Sequence, residues 1–368
     1  MKVLFCTNAF EKVSNGPAKF AHLLLNEGGK ADLEIRILTE ETTFAVPFVY
    51  KLELNIAKPF RLLGQFVRMW RYHRTAMKIR RDFHFDFLVY NNAIIGLFSF
   101  LLFKRTVGMI NDYTNASNSI VSVFKRKAKF NKRVIFYYVE YLTCHFSKCI
   151  IVNSEFLKKK LQCHYHCRAS LFKVLHKGIE NRLVKFDRKE VLLRKKPGSV
   201  LFVKTDFVLG GLFTLVDALK NINRKVKLTI VGPSDEHHKM IKQSLEEANV
   251  PFELFGYLQP DEVYNKMQEA EIFCVPSKKE AFGVANLEAM AMGCKIVSTN
   301  IGGIPEAVGD NGFVRLVTPD DPVALRIALS EAMGISMEKY LDDITNHLAR
   351  FSSAKIILNF KKHLQKCF

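Results

Sequence analysis

The stretch of sequence that decides the fold is Pro-Ser-Lys-Lys-Glu-Ala-Phe-Gly-Val-Ala-Asn-Leu-Glu-Ala-Met-Ala-Met-Gly, residues 276–293. An apolar run at residues 272–276 leads into it and predicts a buried strand, and helical periodicity begins near Phe282 and Gly283. The backbone N–H groups at the start of a helix bind anions, and the helix dipole adds partial positive charge there. Gly283 also lets a ligand approach the backbone closely. The stretch therefore predicts a strand–loop–helix unit with an anion site at the start of the helix.

Two carboxylates flank this anion site. Glu280 precedes the predicted helix, and Glu288 lies about a turn and a half into it. Because carboxylates repel a bound phosphate, they are better explained as acceptors for hydroxyl groups on either side of it. A nucleotide sugar, which carries sugar hydroxyls, phosphate and ribose hydroxyls, fits this pattern. The structural alternative, one acid at a helix N-terminus and another on a solvated helix face, stays open on the residues alone.

The rest of the chain alternates apolar runs with amphipathic helical stretches, which predicts an α/β protein with parallel sheets. The series restarts after the turn signal at residues 195–198, so we expect two Rossmann-like domains facing a central cleft. The predicted domains are residues 1–180 and 181–350, and a basic amphipathic helix at 351–368 is expected to pack back on the first. Strands are predicted at 3–7, 33–39, 85–90, 107–111, 149–153, 171–175, 199–203, 227–231, 252–255, 272–276 and 295–299.

Four motifs, in chain order, resemble those of one enzyme family. Residues 280–288 resemble the Glu-x7-Glu signature of the family-four retaining glycosyltransferases, which have the GT-B fold. Residues 150–156, 176–180 and 299–306 are similar to its "vnSe" strand–helix element, its "NGID" turn and its "GGxPE" loop. The resemblance covers residues 148–330 well and the N-terminal half in outline. Four ordered motifs are specific where one alone would be weak.

The resemblance implies a role for each candidate site residue. The C-terminal domain would bind a nucleotide diphospho-sugar, with Glu280 holding sugar hydroxyls as a catalytic residue and Glu288 holding the ribose. The implied donor-binding set is Gly16, Lys204, Thr205, Ala281, Phe282, Gly283, Val284 and Glu288, with Gly16 approaching the diphosphate from the N-terminal domain. The resemblance also implies transfer with retention by a front-face route and no metal or other cofactor. The sequence contains no Asp-x-Asp motif.

Two positions depart from the family pattern. The family carries a Gly-Arg…Lys-Gly segment whose cations neutralise the diphosphate; here the Arg position falls on Lys204 or Thr205, and the Lys position on Leu209 or Gly210. A buried diphosphate without paired cations is costly, so Lys204, Lys278 or Lys279 substitutes or donor binding is weakened. Where a His often follows the fourth N-domain strand, this chain has Asn111 and Asp112. They are candidate catalytic residues that orient the sugar or acceptor, with an Asn/Asp turn as the alternative.

The formal net charge is +19, and it is unevenly distributed. Residues 1–198 hold 36 Lys+Arg and 15 Asp+Glu, whereas residues 199–368 hold 19 and 21. Such a basic half indicates an anionic partner surface. Residues 56–83 interleave basic side chains with bulky apolar ones, including Trp70, and this pattern favours a helix lying on a membrane. A second basic cluster at residues 125–133 would add to it. The alternative is a solvated helix with an ordinary core side.

Other partners and cofactors are not expected. No RNA-module or helix-turn-helix pattern accompanies the basic charge, so nucleic acid is not predicted as a partner. The first residues form an apolar β-type run without a secretory signal, and eight cysteines in this context indicate reduced thiols. The cluster of Cys163, His164, His166 and Cys167, with Cys144, His145 and Cys149, matches zinc spacing poorly. A polar connection is the favoured interpretation of that segment.

These observations together predict a glycosyltransferase that is cytoplasmic and peripheral on the inner face of the cell membrane. It would move a sugar from a nucleotide diphospho-sugar to a hydroxyl of a saccharide or lipid-linked acceptor, in bacterial surface polysaccharide (lipopolysaccharide, O-antigen or capsule) biosynthesis. The alternative is a weak or inactive relative that acts as an assembly or partner-binding subunit. The missing cation near Leu209 and Gly210 motivates that alternative.

Overall fold

The computed structural model describes residues 1–11, 16–40, 42, 46–54, 63–116, 130–220 and 222–368. Residues 56–62 and the basic residues at 125–129, both part of the membrane prediction, lie outside this set. The chain divides into two compact units: unit 1 is Met1–His176 with Ser353–Phe368, and unit 2 is Lys177–Ser352. The sequence-based boundaries stand at 180/181 and 350/351. Unit 1 holds 32 Lys+Arg and 12 Asp+Glu, a net +20, and unit 2 holds 23 and 24, a net −1.

Unit 1 contains a parallel sheet. Its strands are β1 (Lys2–Thr7), β2 (Glu34–Thr39), β3 (Val49–Lys51), β4 (Phe87–Tyr90), β5 (Thr106–Ile110), β6 (Ile150–Val152) and β7 (Phe172–Val174). Their order is β3-β2-β1-β4-β5-β6-β7. The chain adds strands first on one side of β1 and then, from β4 onward, on the other side, so the order of connection reverses between β1 and β4. Every residue of β4 and β5 is buried, as expected for strands covered on both faces.

Helices cover the faces of this sheet. They are α1 (Gly16–Glu27), α2 (Leu63–Asp82), α3 (Leu97–Leu102), α4 (Phe130–Phe146) and α5 (Glu155–Tyr165). Ser154 caps the N-terminus of α5, because its Oγ accepts a hydrogen bond of 3.1 Å from the Leu157 backbone N–H. In the part of the chain that the structure describes, no helix is long and apolar enough to cross a bilayer.

Unit 2 repeats the α/β plan. Its strands are β8 (Lys196–Val203), β9 (Lys227–Val231), β10 (Phe252–Phe255), β11 (Ala270–Val275), β12 (Lys295–Thr299) and β13 (Val314–Val317), in the order β10-β9-β8-β11-β12-β13. Its helices are α6 (Asn181–Val184), α7 (Arg188–Leu193), α8 (Leu212–Lys220), α9 (His238–Glu247), α10 (Pro260–Glu269), α11 (Val284–Ala291), α12 (Ile304–Val308), α13 (Pro322–Met333) and α14 (Leu341–Ala349). Strands β9, β10 and β12 have the predicted bounds.

Two strands have no counterpart in the prediction. Strand β3 has three residues and β13 has four, and each lies at an edge of its sheet. Lys51 and Arg315 interrupt their apolar character, as is common for edge strands, which meet solvent on one side. Such short runs carry too weak a pattern to stand out from loops.

The last helix, α15 (Ser353–Lys366), belongs to unit 1. Its apolar face includes Phe360, whose ring meets Phe20 of α1 edge to face at 5.8 Å. The His363 Nε2 atom lies 2.9 Å from the Val174 carbonyl at the end of β7. The C-terminal segment is therefore an integral part of the first unit's core.

One pair of cysteines is oxidised, contrary to the prediction. Cys149 and Cys367 form a disulfide across a sequence separation of 218 residues, with Cα atoms 5.7 Å apart. The prediction of reduced thiols is wrong for this pair, because α15 brings Cys367 beside the start of β6. Cys144 and Cys167 are free thiols, and Cys167 Sγ lies 3.5 Å from the Tyr165 carbonyl. No group of three or more His, Cys, Asp or Glu side chains among the described residues is placed to hold a metal ion.

Candidate functional site

The predicted site of unit 2 lies at the carboxyl ends of β8 and β11. These two strands are neighbours, and the chain order across the sheet reverses between them. Ligands of open α/β sheets bind at such a switch point. Lys204 and Thr205 follow β8 directly, and the loop at 276–283 follows β11. The topology thus brings together two predicted segments that are far apart in sequence.

An ion pair joins these two segments. The Lys204 Nζ atom lies 2.6 Å from Glu280 Oε2, and the two side chains are 27% and 22% exposed. The other carboxylate oxygen of Glu280 accepts a 3.1 Å hydrogen bond from the Ala281 backbone N–H. The partial burial makes this pair better shielded from solvent than a surface salt bridge. A predicted cation and a predicted sugar-binding carboxylate are thereby held at one position.

The loop that carries Glu280 is supported by the segment after β12. Gly302 has φ +62°, and a Cβ atom there would lie 1.7 Å from the Glu280 carbonyl oxygen. Only glycine permits this approach. Thr299 Oγ1 donates a 2.7 Å hydrogen bond to the Ser277 carbonyl from the same side. The 299–306 motif therefore positions the 277–280 loop.

Helix α11 begins at this loop. Gly283 precedes it in a left-handed conformation, with φ 90° and ψ 51°. The Phe282 ring is buried and lies 5.8 Å from that of Phe351, so only its backbone is available to a ligand. Ala281 and Val284 are half-buried beside it. The start of α11 thus presents backbone groups, rather than large side chains, near Glu280.

Glu288 belongs to a second cluster of polar side chains, and the sequence predicted only some of its members. Its Oε1 accepts a 3.2 Å hydrogen bond from Tyr264 Oη, which also lies 3.5 Å from Glu180 Oε1. Burial, and then the charges of Glu288 and Glu180, raise the pKa of Tyr264. Arg182 pairs with Glu180 at 2.6 Å. The 176–180 motif pointed to Glu180, but no sequence signal marked Tyr264 or Arg182.

Two of the lysines that could replace the family's missing cation already pair with carboxylates. Lys278 Nζ lies 2.5 Å from Asp320 Oδ1, and this contact lowers the pKa of Asp320. Lys204 pairs with Glu280, as described above. At the predicted Lys position, Leu209 uses its carbonyl to accept a 2.8 Å hydrogen bond from the Lys278 backbone N–H. Two of the three candidate lysines therefore already have a carboxylate partner.

Three predicted site residues belong to unit 1. Gly16 is the first residue of α1, and Asn111 and Asp112 follow β5. Asn111 Nδ2 donates to the Asn91 carbonyl at 2.8 Å, and Asp112 Oδ1 accepts from the Thr114 backbone N–H at 2.7 Å. The latter contact is an Asx turn, which was the alternative interpretation of Asp112.

Comparison with known proteins identifies the family. The family "Glycosyltransferase Family 4" matches residues 14–182, and the family "Glycosyl transferases group 1" matches residues 184–344. Between them they span nearly the whole of both units. The chain belongs to the family-4-type GT-B glycosyltransferases.

Curated relatives match this chain over part of their length. It is 27% identical over 230 residues to an uncharacterized glycosyltransferase of Methanocaldococcus jannaschii, covering 61% of each chain. It is 28% identical over 208 residues to the MMP alpha-(1->4)-mannosyltransferase of Mycolicibacterium hassiacum, covering 55% of this chain and 47% of that one. The D-inositol 3-phosphate glycosyltransferase of Corynebacterium urealyticum is 31% identical over 156 residues, or 39% and 36% of the two chains. The match thus spans about one third to three fifths of these relatives.

Solved structures of similar fold cover 98–100% of this chain. A glycosyltransferase from Rickettsia africae superposes with a TM-score of 0.74 at 15% identity, covering 100% and 98% of the two chains. WaaG, described as a glycosyltransferase involved in lipopolysaccharide biosynthesis, gives 0.74 at 17%, covering 98% of each. Anabaena HepE in complex with UDP and glucose gives 0.71 at 20%, covering 99% of each. These likenesses, with two parallel-sheet units, confirm the predicted α/β GT-B fold class.

Proposed function

We propose that this protein transfers a sugar from a nucleotide diphospho-sugar to a hydroxyl group of a saccharide or lipid-linked acceptor, with retention of anomeric configuration. The observation that carries the proposal is the meeting of Lys204, Glu280 and the start of α11 at the switch point between β8 and β11. The HepE structures, which hold UDP, UDP with glucose, or UDP-glucose, support a nucleotide sugar as the donor.

Each part of the donor has a proposed partner. Glu288 accepts hydrogen bonds from the ribose hydroxyls, and the backbone N–H groups beside Gly283 face the phosphates. Glu280 accepts from sugar hydroxyls. Lys204 has three N–H donors, so it can keep its bond to Glu280 and still reach a phosphate oxygen. Its charge also offsets the repulsion between Glu280 and the diphosphate.

The proposed reaction requires no metal or other cofactor. The bond between the anomeric carbon and the diphosphate oxygen breaks, and the acceptor oxygen bonds to that carbon on the same face. The departing phosphate oxygen takes the proton of the acceptor hydroxyl, so charge and atoms balance. Lys204 and the N-terminus of α11 stabilise the charge that develops on the leaving diphosphate.

We place this activity in bacterial surface polysaccharide synthesis. WaaG is described as acting in lipopolysaccharide biosynthesis, WaaB as a lipopolysaccharide outer core galactosyltransferase, and a 24% identical Klebsiella pneumoniae protein as lying in a cps region. These descriptions support a saccharide or lipid-linked acceptor for the present chain.

We further propose that unit 1 binds the anionic inner face of the cell membrane. Many apolar residues of α2, such as Met69 and Ile79, are buried in the core, as the alternative interpretation required. Phe66 and Trp70, however, are 39% and 45% exposed. They share a helix stripe with the exposed cations Arg74, Lys78 and Arg81. The aromatic side chains at one end of this stripe can insert at an anionic membrane interface. Each basic side chain at the other end would contribute roughly 1 kcal/mol to membrane binding.

A second candidate function is an assembly subunit that no longer turns over a donor. The pairing of Lys204 and Lys278 with carboxylates favours it, because less positive charge remains for a diphosphate. A donor panel separates the two candidates: the protein is incubated with common UDP-, GDP- and ADP-sugars, and nucleoside diphosphate release is measured with and without lipid-linked saccharides. Release from one donor supports the enzyme. No release from any donor, with weak or absent nucleoside diphosphate binding, supports the subunit.

A further inference from the structure

Unit 1 contains a cavity of about 390 Å³ that the donor site does not use. It lies at the carboxyl ends of β1, β4 and β5, next to the point between β1 and β4 where the order of strand connection reverses. Parallel α/β sheets bind ligands at this kind of position. Its volume falls within the range of small-molecule sites.

Amide side chains dominate its polar lining. Asn8 follows β1, Asn91 and Asn92 follow β4, and Asn111 follows β5, with Asn115 on the next turn. An amide can both donate and accept hydrogen bonds, which matches the dual capacity of a sugar hydroxyl. Asn153 Nδ2 donates to the Asn111 carbonyl at 2.8 Å, and Asn111 in turn holds Asn91. Hydrogen bonds among asparagines therefore fix part of the polar lining of the cavity.

The charged side chains that line this cavity are mainly acidic, although unit 1 as a whole is basic. Arg68 is the cation among the lining residues, but its Nε lies 2.7 Å from Glu40 Oε1 and its charge is already paired. Asp112 and Glu140 contribute two carboxyl groups to the lining. Unit 1 carries a net +20, yet its cavity offers an anion no uncompensated cation among the described lining residues.

Glu140 is the most constrained of these groups. It lies on α4, is 4% exposed, and receives hydrogen bonds from Tyr165 Oη at 2.7 Å and Asn115 Nδ2 at 2.8 Å. Burial raises its pKa to about 7, with the charge of Asp112 acting in the same direction. Above neutral pH the cavity wall thus carries a second fixed negative charge.

We propose that this cavity binds an uncharged, hydroxyl-rich sugar ring of the acceptor, and that Glu140 with Asp112 excludes sugars that carry a phosphate or carboxylate. This inference rests on the proposed transferase function, since it names the class of acceptor that the function leaves open. Glu140 acts as a specificity-determining residue, through its charge and its hydrogen bond to Asn115, and takes no part in bond breaking.

Saturation-transfer-difference NMR at pH 8 tests the proposal on the full chain. The probes are methyl glucoside, galactoside and mannoside, each compared with its 6-phosphate and its uronate. At least one neutral glycoside should bind, and its charged counterparts should bind at least about tenfold more weakly. In E140Q this discrimination should shrink by about threefold or more. The control E27Q, on α1 and outside the cavity lining, should keep it.

The outcomes are distinguishable from those of the proposed function. Equal or stronger binding of phosphorylated sugars, or no binding of any probe to wild-type protein, overturns the inference. The wild-type comparison stands even where E140Q fails to fold. UDP, GDP and ADP are titrated into the same samples: failure of all three to bind while neutral sugars still bind counts against the transferase, whereas nucleotide binding with a preference for charged sugars counts against the cavity assignment alone.

Discussion

The Lys204 Nζ atom lies 2.6 Å from Glu280 Oε2, so the two side chains proposed to contact different parts of the donor pair with each other. Glu280 alone would repel a diphosphate placed beside Gly283. Lys204 offsets that repulsion and keeps two N–H donors for other partners. The pair therefore sets the charge of the site, whereas the 299–306 motif positions the 277–280 loop.

Replacement of Lys204 by methionine should weaken nucleoside diphosphate binding. The variant loses the cation and leaves the Glu280 charge uncompensated, so we expect at least about a tenfold rise in Kd for UDP. Isothermal titration measures this directly. The exposed Lys239 of α9 provides the matched control, and K239M should bind as the wild type does. Equal affinity of K204M and K239M would exclude Lys204 from the diphosphate site.

Replacement of Glu280 by glutamine should separate binding from turnover. The change removes a negative charge near the diphosphate and releases Lys204, so UDP affinity should stay the same or rise. The loss of the carboxylate that accepts from sugar hydroxyls should lower kcat for transfer by about 100-fold or more. Kinetics with the donor found in the panel, beside UDP titration, test this. A parallel loss of both quantities would mean that Glu280 acts by supporting the fold of the loop.

Replacement of Gly302 by alanine should destabilise unit 2. The new Cβ would lie 1.7 Å from the Glu280 carbonyl oxygen, and φ is +62° there, so the loop must move. We expect a loss of more than about 2 kcal/mol in the free energy of unfolding, measured by denaturant titration. Gly29, where a Cβ would meet nothing within 4 Å, is the control. G29A with a loss as large as that of G302A would refute the steric argument.

The titration of Glu140 should lower the stability of the protein between about pH 5 and pH 8. Its pKa is raised from 4.5 to about 7 in the folded state, so the native chain binds more protons than the unfolded one between those values. The free energy of unfolding therefore falls as pH rises, by roughly 3 kcal/mol for this group. Burial is the main cause of the raised pKa and the charge of Asp112 adds to it, whereas the hydrogen bonds from Tyr165 and Asn115 lower the pKa.

E140Q lacks this titration, so between pH 5 and pH 8 its stability should fall less, or rise more, than that of the wild type. Denaturant midpoints at pH 5, 6.5 and 8 provide the measurement. The exposed Glu155 is 50% accessible and pairs with Lys158, so E155Q should retain the wild-type slope. Parallel profiles for all three proteins would show that Glu140 titrates normally.

Much of the fold was readable from local pattern. Strands β9, β10 and β12 are short runs of mostly apolar or β-branched residues, and their bounds were predicted without error. The 276–293 stretch placed the loop and α11 because glycine, carboxylates and helical periodicity occur there in order. The edge strands β3 and β13 were missed because they are short and carry a cation.

The contacts that define the sites depend on tertiary structure. Tyr264 is an ordinary helix residue until α10 places it 3.2 Å from Glu288. Glu140 is one acid on a basic chain, and only the packing of α4 against α5 buries it beside Tyr165. The Cys149–Cys367 disulfide spans 218 residues, so local spacing carries no trace of it.

The most direct test of the account is isothermal titration of nucleoside diphosphates into wild-type protein, E288A and the exposed control E246A. The base is chosen from uridine, guanosine and adenosine diphosphates by which one the wild type binds. If Glu288 holds the ribose, E288A raises the Kd at least about tenfold, equivalent to about 1.4 kcal/mol, while E246A binds as the wild type does. Wild-type affinity in E288A would contradict the assignment of the donor site to α11.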